Sequence, residues 1–327
     1  MDLSKPITQQ PALPCMQRRR FLQSIAAAAA APLAPAAFAQ AASPSTAAVD
    51  AGAKFKLKFA PHLGQFEHTA GKDPIAQIQY MADAGFTAYE DNGLMQRPVR
   101  LQERIGETMA KNGMIMGVFV IDAGDNWKTS YTTGKPEFRE RFVKRCREAV
   151  AVAKRVDAKW MTIVPGFHAP ALPIGMQTGH VIDAIRAGAE VMEPHGLVMV
   201  MEPLSDTPEL FLRTSTQSYA IARAVDNPAV KILYDIYHMQ RNEGNLIAHI
   251  DLTWSEIAYF QIGDVPGRKE PGTGEINYAN IFRHIHRRMR EENRDFVFGM
   301  EHGKSVDGIE GERRLVQAYR DIDVSGT

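Results

Sequence analysis

Cysteine is scarce, and its scarcity is informative. With two among 327 residues there is no disulfide framework, and Cys146 stands alone in KRCREAVAVAKR, where helical spacing predicts a buried residue rather than a nucleophile. Long apolar runs are missing as well. The uncharged stretch from Ile25 is broken by Pro32 and Pro35 before it reaches the roughly 20 residues that a membrane span needs. No Gly-x-Gly-x-x-Gly follows the first predicted strand, which argues against a dinucleotide-binding open sheet. Nor does either sign of charge dominate: 38 Lys and Arg face 38 Asp and Glu, so nothing marks the chain for nucleic acid or another polyanion.

What is present begins with a leader. Arg18-Arg19-Arg20-Phe21-Leu22, an alanine-dominated stretch and Ala37-Phe38-Ala39 give a charged region, a short apolar region and a small-x-small cleavage site. That order predicts an export signal over residues 1–39, and the paired arginines ahead of Phe-Leu resemble the twin-arginine class. Residues 40–53, rich in Ala, Ser and Pro, read as a disordered linker, and residues 54–327 as one domain. The leader holds four of the basic residues and one of the acidic ones, leaving a mature chain acidic by three. The expectation is a periplasmic protein, off the membrane once cleaved, that acts on a small molecule; its oligomeric state is open.

From Phe55 onward, short apolar runs alternate with longer amphipathic ones. Strands are predicted at 57–60, 88–90, 115–121, 160–164, 197–202, 230–235, 257–262 and 296–301. Helices are predicted at 74–84, 98–112, 136–156, 176–195, 216–225, 245–252, 278–291 and 308–320. Asp73-Pro74 and Lys135-Pro136-Glu137 are helix starts, and Gly113 and Gly196 are helix stops. Eight such units over about 270 residues are the length of a (β/α)8 TIM barrel, which places chemistry where strands end and βα loops begin.

Four consecutive predicted strands finish on an oxygen-bearing side chain: Glu202 in VMVMEP, Asp235 in KILYDIYH, Gln261 in IAYFQIGD and Glu301 in VFGMEHG. On a closed barrel these ring the mouth, where three carboxylates repel unless a cation sits between them. Carboxylate and amide oxygens are hard ligands, suited to one divalent ion, Mg²⁺ or Mn²⁺ foremost, with Zn²⁺ or Co²⁺ admissible. His238, three residues beyond Asp235, is expected in a loop above the ion, reaching a substrate oxygen. Gly263 to Tyr278 is too rich in Pro and Gly for helix or strand and offers Arg268 to a substrate carboxylate or hydroxyl. His62, after the first strand, is a further candidate to line the pocket. His168 and His302 lie close to strand ends, and Trp127 is expected to shield the pocket from water.

YDIYHMQRNEG, QIGDVPGRKEPGTGEINY, VMEP and AGDNW resemble the hydroxypyruvate isomerase family within the xylose isomerase-like barrels, densely from about Val198 to Glu301. The resemblance implies one metal ion on Glu202, Asp235, Gln261 and Glu301, with Glu202 and Glu301 doubling as the acid/base pair and His238 and Arg268 touching substrate. Glu90, ending the second strand, falls where relatives carry a glutamate and is expected to contact substrate. The third strand departs from the family: Gly117-Val118-Phe119-Val120 replaces a polar His-Asn pair. Such a site suits aldose-ketose isomerisation of hydroxypyruvate to tartronate semialdehyde, or of a similar small hydroxy-carbonyl compound, through an enediolate. A periplasmic sugar or keto-sugar epimerase or lyase, and a non-catalytic sugar-binding barrel, remain open alternatives.

Overall fold

The computed structural model describes residues 52–323; the predicted export signal, and the linker up to residue 51, lie outside them. Within that span, buried strands alternate with helices. The strands are β1 (Lys58–Ala60), β2 (Ala88–Tyr89), β3 (Ile115–Met116), β4 (Val118–Val120), β5 (Trp160–Ile163), β6 (Val198–Met201), β7 (Val230–Asp235), β8 (Ile257–Gln261) and β9 (Val297–Gly299). The helices are α1 (Glu67–Ala70), α2 (Pro74–Asp83), α3 (Val99–Asn112), α4 (Pro136–Val156), α5 (Ile174–Met192), α6 (Ser215–Val225), α7 (Ile236–Asn242), α8 (Leu246–Thr253), α9 (Tyr278–Glu292) and α10 (Gly308–Ile322).

Local chemistry accounts for many of the boundaries. The Asp73 side chain accepts the Ile75 N–H ahead of Pro74, and Thr214 and Asn277 cap α6 and α9 in the same way. At the other ends Gly113, Asp157, Asp226 and Asn293 take the left-handed conformation. Asp and Asn tolerate that region because their short polar side chains bond locally.

All strand pairs are parallel, in the order β1-β9-β8-β7-β6-β5-β4, with β2 beside β3. The ring closes because β3 and β4 are consecutive pieces of one stave, and because Glu90 N–H donates to Pro61 O at 3.0 Å beside a His62–Glu90 bridge. This is an eight-staved (β/α)8 barrel. Phe59, Phe260, Phe282 and Phe298 pack the layer between sheet and helices. Ala60, Ala88, Val118, Val200, Leu233, Tyr259 and Val297 form a second cluster, the barrel interior. Because side chains alternate along a strand, the residues two positions beyond interior ones face inward again. Those positions are Glu90 after Ala88, Glu202 after Val200, Asp235 after Leu233 and Gln261 after Tyr259.

Two elements differ from expectation. The third stave, predicted as one strand, is interrupted at Gly117. A Cβ there would collide with the hydroxyl of Tyr259, which crosses from β8 and packs with Val118; two successive positions thus face the interior and the pleat fails. The stretch after Asp235, predicted as a loop, is helix α7, started by Asp235 itself: its Oδ1 accepts the N–H of Tyr237 at 2.7 Å and of His238 at 3.3 Å. Gly117→Ala should cost about 1–3 kcal/mol by overpacking this layer, read as a lower urea midpoint with unchanged slope; an unaltered midpoint would show that Tyr259 has room to move.

Candidate active site

Glu202 directly follows β6, Asp235 and Gln261 end β7 and β8, and Glu301 lies two residues beyond β9. Asp235 stands opposite Gln261 in the ladder, and Gln261 opposite Gly299, so Asp235 and Gln261 share one level and Glu301 stands two residues above it. Asp235, Gln261 and Glu202 are buried, while the Glu301 side chain keeps 25% of its surface exposed.

Arg268 joins them from the β8–α9 loop. Its Nη2 donates to Glu301 Oε2 at 2.8 Å and to Asp235 Oδ2 at 3.2 Å, its Nε to the Glu301 carbonyl at 3.1 Å, and its guanidinium lies 5.0 Å from the centre of the Tyr237 ring. The loop is built around Asp264, whose carboxylate accepts the N–H groups of Val265, Gly272, Gly274 and Ile276 at 2.9–3.1 Å. Arg268 itself has φ +49°, a conformation that a long side chain adopts only when its surroundings impose it. Ion pairing with Glu301 and Asp235 outweighs burial and holds the guanidinium charge more firmly than usual.

His238 sits on α7. Its Nδ1 receives the Ser205 N–H at 3.1 Å and lies 2.8 Å from the Ser205 hydroxyl. A backbone N–H only donates, so Nδ1 accepts and the ring proton resides on Nε2. Nε2 lies 3.5 Å from Asp235 Oδ2, 3.8 Å from Asp206 and 3.9 Å from Glu202 Oε1. Single ligand atoms of Glu202, Asp235 and His238 fall within 4.8 Å of one another, so distance alone would count the histidine as a metal ligand. Its tautomer makes it a hydrogen-bond donor instead. Burial lowers its pKa, against the pull of Asp235.

Under this layer lies Glu90, with Oε2 accepting the Tyr259 hydroxyl at 2.9 Å and Oε1 accepting Gln261 Nε2 at 3.1 Å. Both of its oxygens are therefore engaged away from a substrate. Asn92 Nδ2 donates to Glu301 Oε1 at 3.0 Å. Burial first, then the Glu301 charge, pushes the carboxyls of Glu90 and Glu202 well above the ordinary carboxylate range. Burial lifts Glu301 to about 7 in spite of Arg268. Glu202 Oε1, Gln261 Oε1, His238 Nε2 and Asn92 Oδ1 are buried polar atoms without a hydrogen-bond partner among the described residues. Such atoms are rare in folded chains. Two anionic or amide oxygens and crowded carboxylates fit a hard divalent cation.

The remaining candidates have other partners. His62, bridged to Glu90 in the ladder, turns its ring to the carbonyls of Leu63 and His302. His302 bonds Gly303 O and the Tyr319 hydroxyl, and burial drives its pKa down to about 3; it is a neutral strut to α10. His168 packs its ring on Phe211. Trp127, expected as a shield, is 54% exposed. Cys146 is buried on α4, its thiol raised to about 12 by burial. Asn92, Ser205, Asp206 and Asp264 were not singled out in the sequence. Only Asp264, opening a Gly- and Pro-rich run, left a signal there, that of a side chain satisfying turn amides.

A carboxyl whose folded-state pKa lies above the ordinary 4.5 stabilises the fold in its protonated form. For Glu301 that contribution is complete below the ordinary value and is lost as pH rises through about 7. Chelator-treated protein should lose thermal stability between about pH 5 and pH 8. Glu202→Gln should raise its Tm at the upper pH by about 2–4 °C; calorimetry showing no gain would mean that these charges are already compensated.

A family model described as "Xylose isomerase-like TIM barrel" matches residues 78–317. The chain is 29% identical over 244 residues to a 2-oxo-tetronate isomerase of Pectobacterium atrosepticum, covering 72% of this chain and 89% of that one. It is 27% identical over 236 residues to hydroxypyruvate isomerase of Escherichia coli, covering 68% and 84%. Among solved structures, an AP endonuclease, family 2, from Brucella melitensis superposes with a TM-score of 0.68 at 20% identity, over 80% of this chain and 98% of that one. Isomerases and an endonuclease on one scaffold mean that the chemistry must be argued from the site. With the closed barrel and a model match across most of its length, the chain belongs to the xylose isomerase-like TIM barrel family.

Proposed function

We propose that this isomerase interconverts a small 2-oxo hydroxy acid and its aldehyde isomer, of the kind hydroxypyruvate and tartronate semialdehyde represent, through an enediolate. It would use one divalent cation, Mg²⁺ or Mn²⁺ foremost and Zn²⁺ or Co²⁺ admissible, held by Glu202, Asp235, Gln261 and Glu301. The observation that carries this reading is the pair of buried oxygens, Glu202 Oε1 and Gln261 Oε1, unpartnered among the described residues, beside Asp235 and Glu301, which one Arg268 nitrogen bridges. The named activities of the two relatives give the substrate class.

When bound, the cation would polarise the substrate carbonyl and offset the charge that develops on its oxygens. The protein does the rest. Glu202, buried with its Oε1 unpartnered among the described residues, is suited to take a proton from the carbon beside the carbonyl and, after exchange with solvent, to deliver one to the former carbonyl carbon. Glu301, whose side chain stays partly exposed at the mouth, moves the hydroxyl proton between the two oxygens. His238 donates from Nε2 to a substrate oxygen. Arg268, its charge held at the mouth by Glu301 and Asp235, is placed to pair with the acid's carboxylate. Val120, partly buried on the inward face of β4, gives one wall no polar handle, in keeping with a short substrate.

Arg18-Arg19-Arg20 and Ala37-Phe38-Ala39 further motivate a periplasmic location, reached by export of the folded protein. Replacing Arg18, Arg19 and Arg20 with Lys and fractionating the cells tests it: the substituted protein should stay in the cytoplasm.

With hydroxypyruvate and Mn²⁺-reloaded protein in D₂O, NMR should show tartronate semialdehyde forming with deuterium at the former carbonyl carbon. Glu202→Gln and Glu301→Gln should each lower kcat at least 100-fold, and His238→Asn about tenfold. No interconversion with metal present sinks the assignment, and inversion at a sugar carbon instead would move it to the epimerase reading.

A further inference from the structure

The floor of the site contains a residue that touches neither the mouth nor solvent. Glu90 is 1% exposed, and it fits because Gly299 on the facing stave has no side chain; a Cβ there would collide with Glu90 Oε2. Its two contacts are the Tyr259 hydroxyl on one oxygen and Gln261 Nε2 on the other. Both Glu90 oxygens accept here, one from the Tyr259 hydroxyl and one from the amide nitrogen, so Gln261 presents its NH₂ end to it. The two ends of a glutamine amide are alike in shape and opposite in chemistry. A neighbour whose two oxygens both accept, as those of Glu90 do, decides which end points where.

We propose that Glu90 is a positioning residue: its carboxylate holds the Gln261 amide with nitrogen downward, so that Oε1 faces the meeting point of Glu202, Asp235 and Glu301. Gln261 Oε1 is buried there and has no partner among the described residues. Reversed, the amide would set its oxygen against the Glu90 carboxylate and an NH₂ against the cation, two repulsive contacts in place of two attractive ones. The inference deepens the metal-dependent reading above and rests on it. It also explains why a glutamate whose oxygens are both engaged lies below the ligand layer. Outer partners of this kind orient the ligands that touch the ion.

The test is calorimetric titration of Mn²⁺ into chelator-treated full-length protein. Glu90→Gln keeps the shape and supplies an amide that can lie against Gln261 either way round; Mn²⁺ affinity should fall about tenfold or more, with far-UV CD unchanged. In Glu90→Gln/Gln261→Glu, donor and acceptor trade places and a carboxylate oxygen must still face the cation. That variant should bind Mn²⁺ at least as tightly as the native protein. A single variant that binds within twofold of native shows that Glu90 only fills space, and overturns the proposal, as does a double variant no tighter than the single one. Should the single variant not fold, the double variant decides alone: affinity lost tenfold or more against native overturns it. Native protein that takes up no Mn²⁺ removes the metal reading itself, an outcome distinct because the native titration is the one that fails.

Discussion

Like charges gathered in a dry place are the constraint around which this molecule is organised. Glu90, Glu202, Asp235 and Glu301 converge at the top of the barrel, where burial weakens the screening that water would supply. Arg268 answers part of that repulsion by bridging Glu301 and Asp235. Tyr259 and Gln261 answer another part by donating to Glu90. The remainder is carried as raised proton affinity on Glu90, Glu202 and Glu301. A fold selected for stability alone would not assemble such a group; carboxyls perturbed together in a cleft mark a functional site.

The architecture serves that cluster through double duties. One oxygen of Asp235 starts α7 by accepting two backbone N–H groups, and the other meets Arg268. Fixing the start of α7 also fixes His238, whose tautomer is then set by the Ser205 N–H. Asp264 gathers four loop amides and so delivers Arg268 to the mouth in a backbone conformation it would not otherwise hold. His238 and Arg268 therefore reach the site from elements started or gathered by carboxylates, α7 by Asp235 and the β8–α9 loop by Asp264.

The alternation of apolar strands with amphipathic helices was plain in the chain, and with it the barrel. Glu202, Asp235, Gln261 and Glu301 could be picked out because each follows or ends an apolar run. Gly117 could not: its need for a missing side chain comes from Tyr259, more than a hundred residues away. Helix α7 is hidden because its seven residues, about two turns, are too few to show a periodicity. Asn92, Ser205 and Asp206 are ordinary loop residues until tertiary contacts put them beside Glu301 and His238. Trp127 misled in the opposite sense, since an aromatic near a strand end says nothing of which way its loop turns.

By itself the sequence determined which residues stand at strand ends and which face inward, because strand pleating has a period of two and burial enforces it. It determined the sign of the groups gathered there. Only the tertiary structure decided how those groups are aimed: which nitrogen of His238 carries the proton, which end of the Gln261 amide faces the carboxylates, which oxygen of Asp235 is left for the site. Hydrogen-bond direction depends on partners from other staves and loops, and no local pattern along the chain records them.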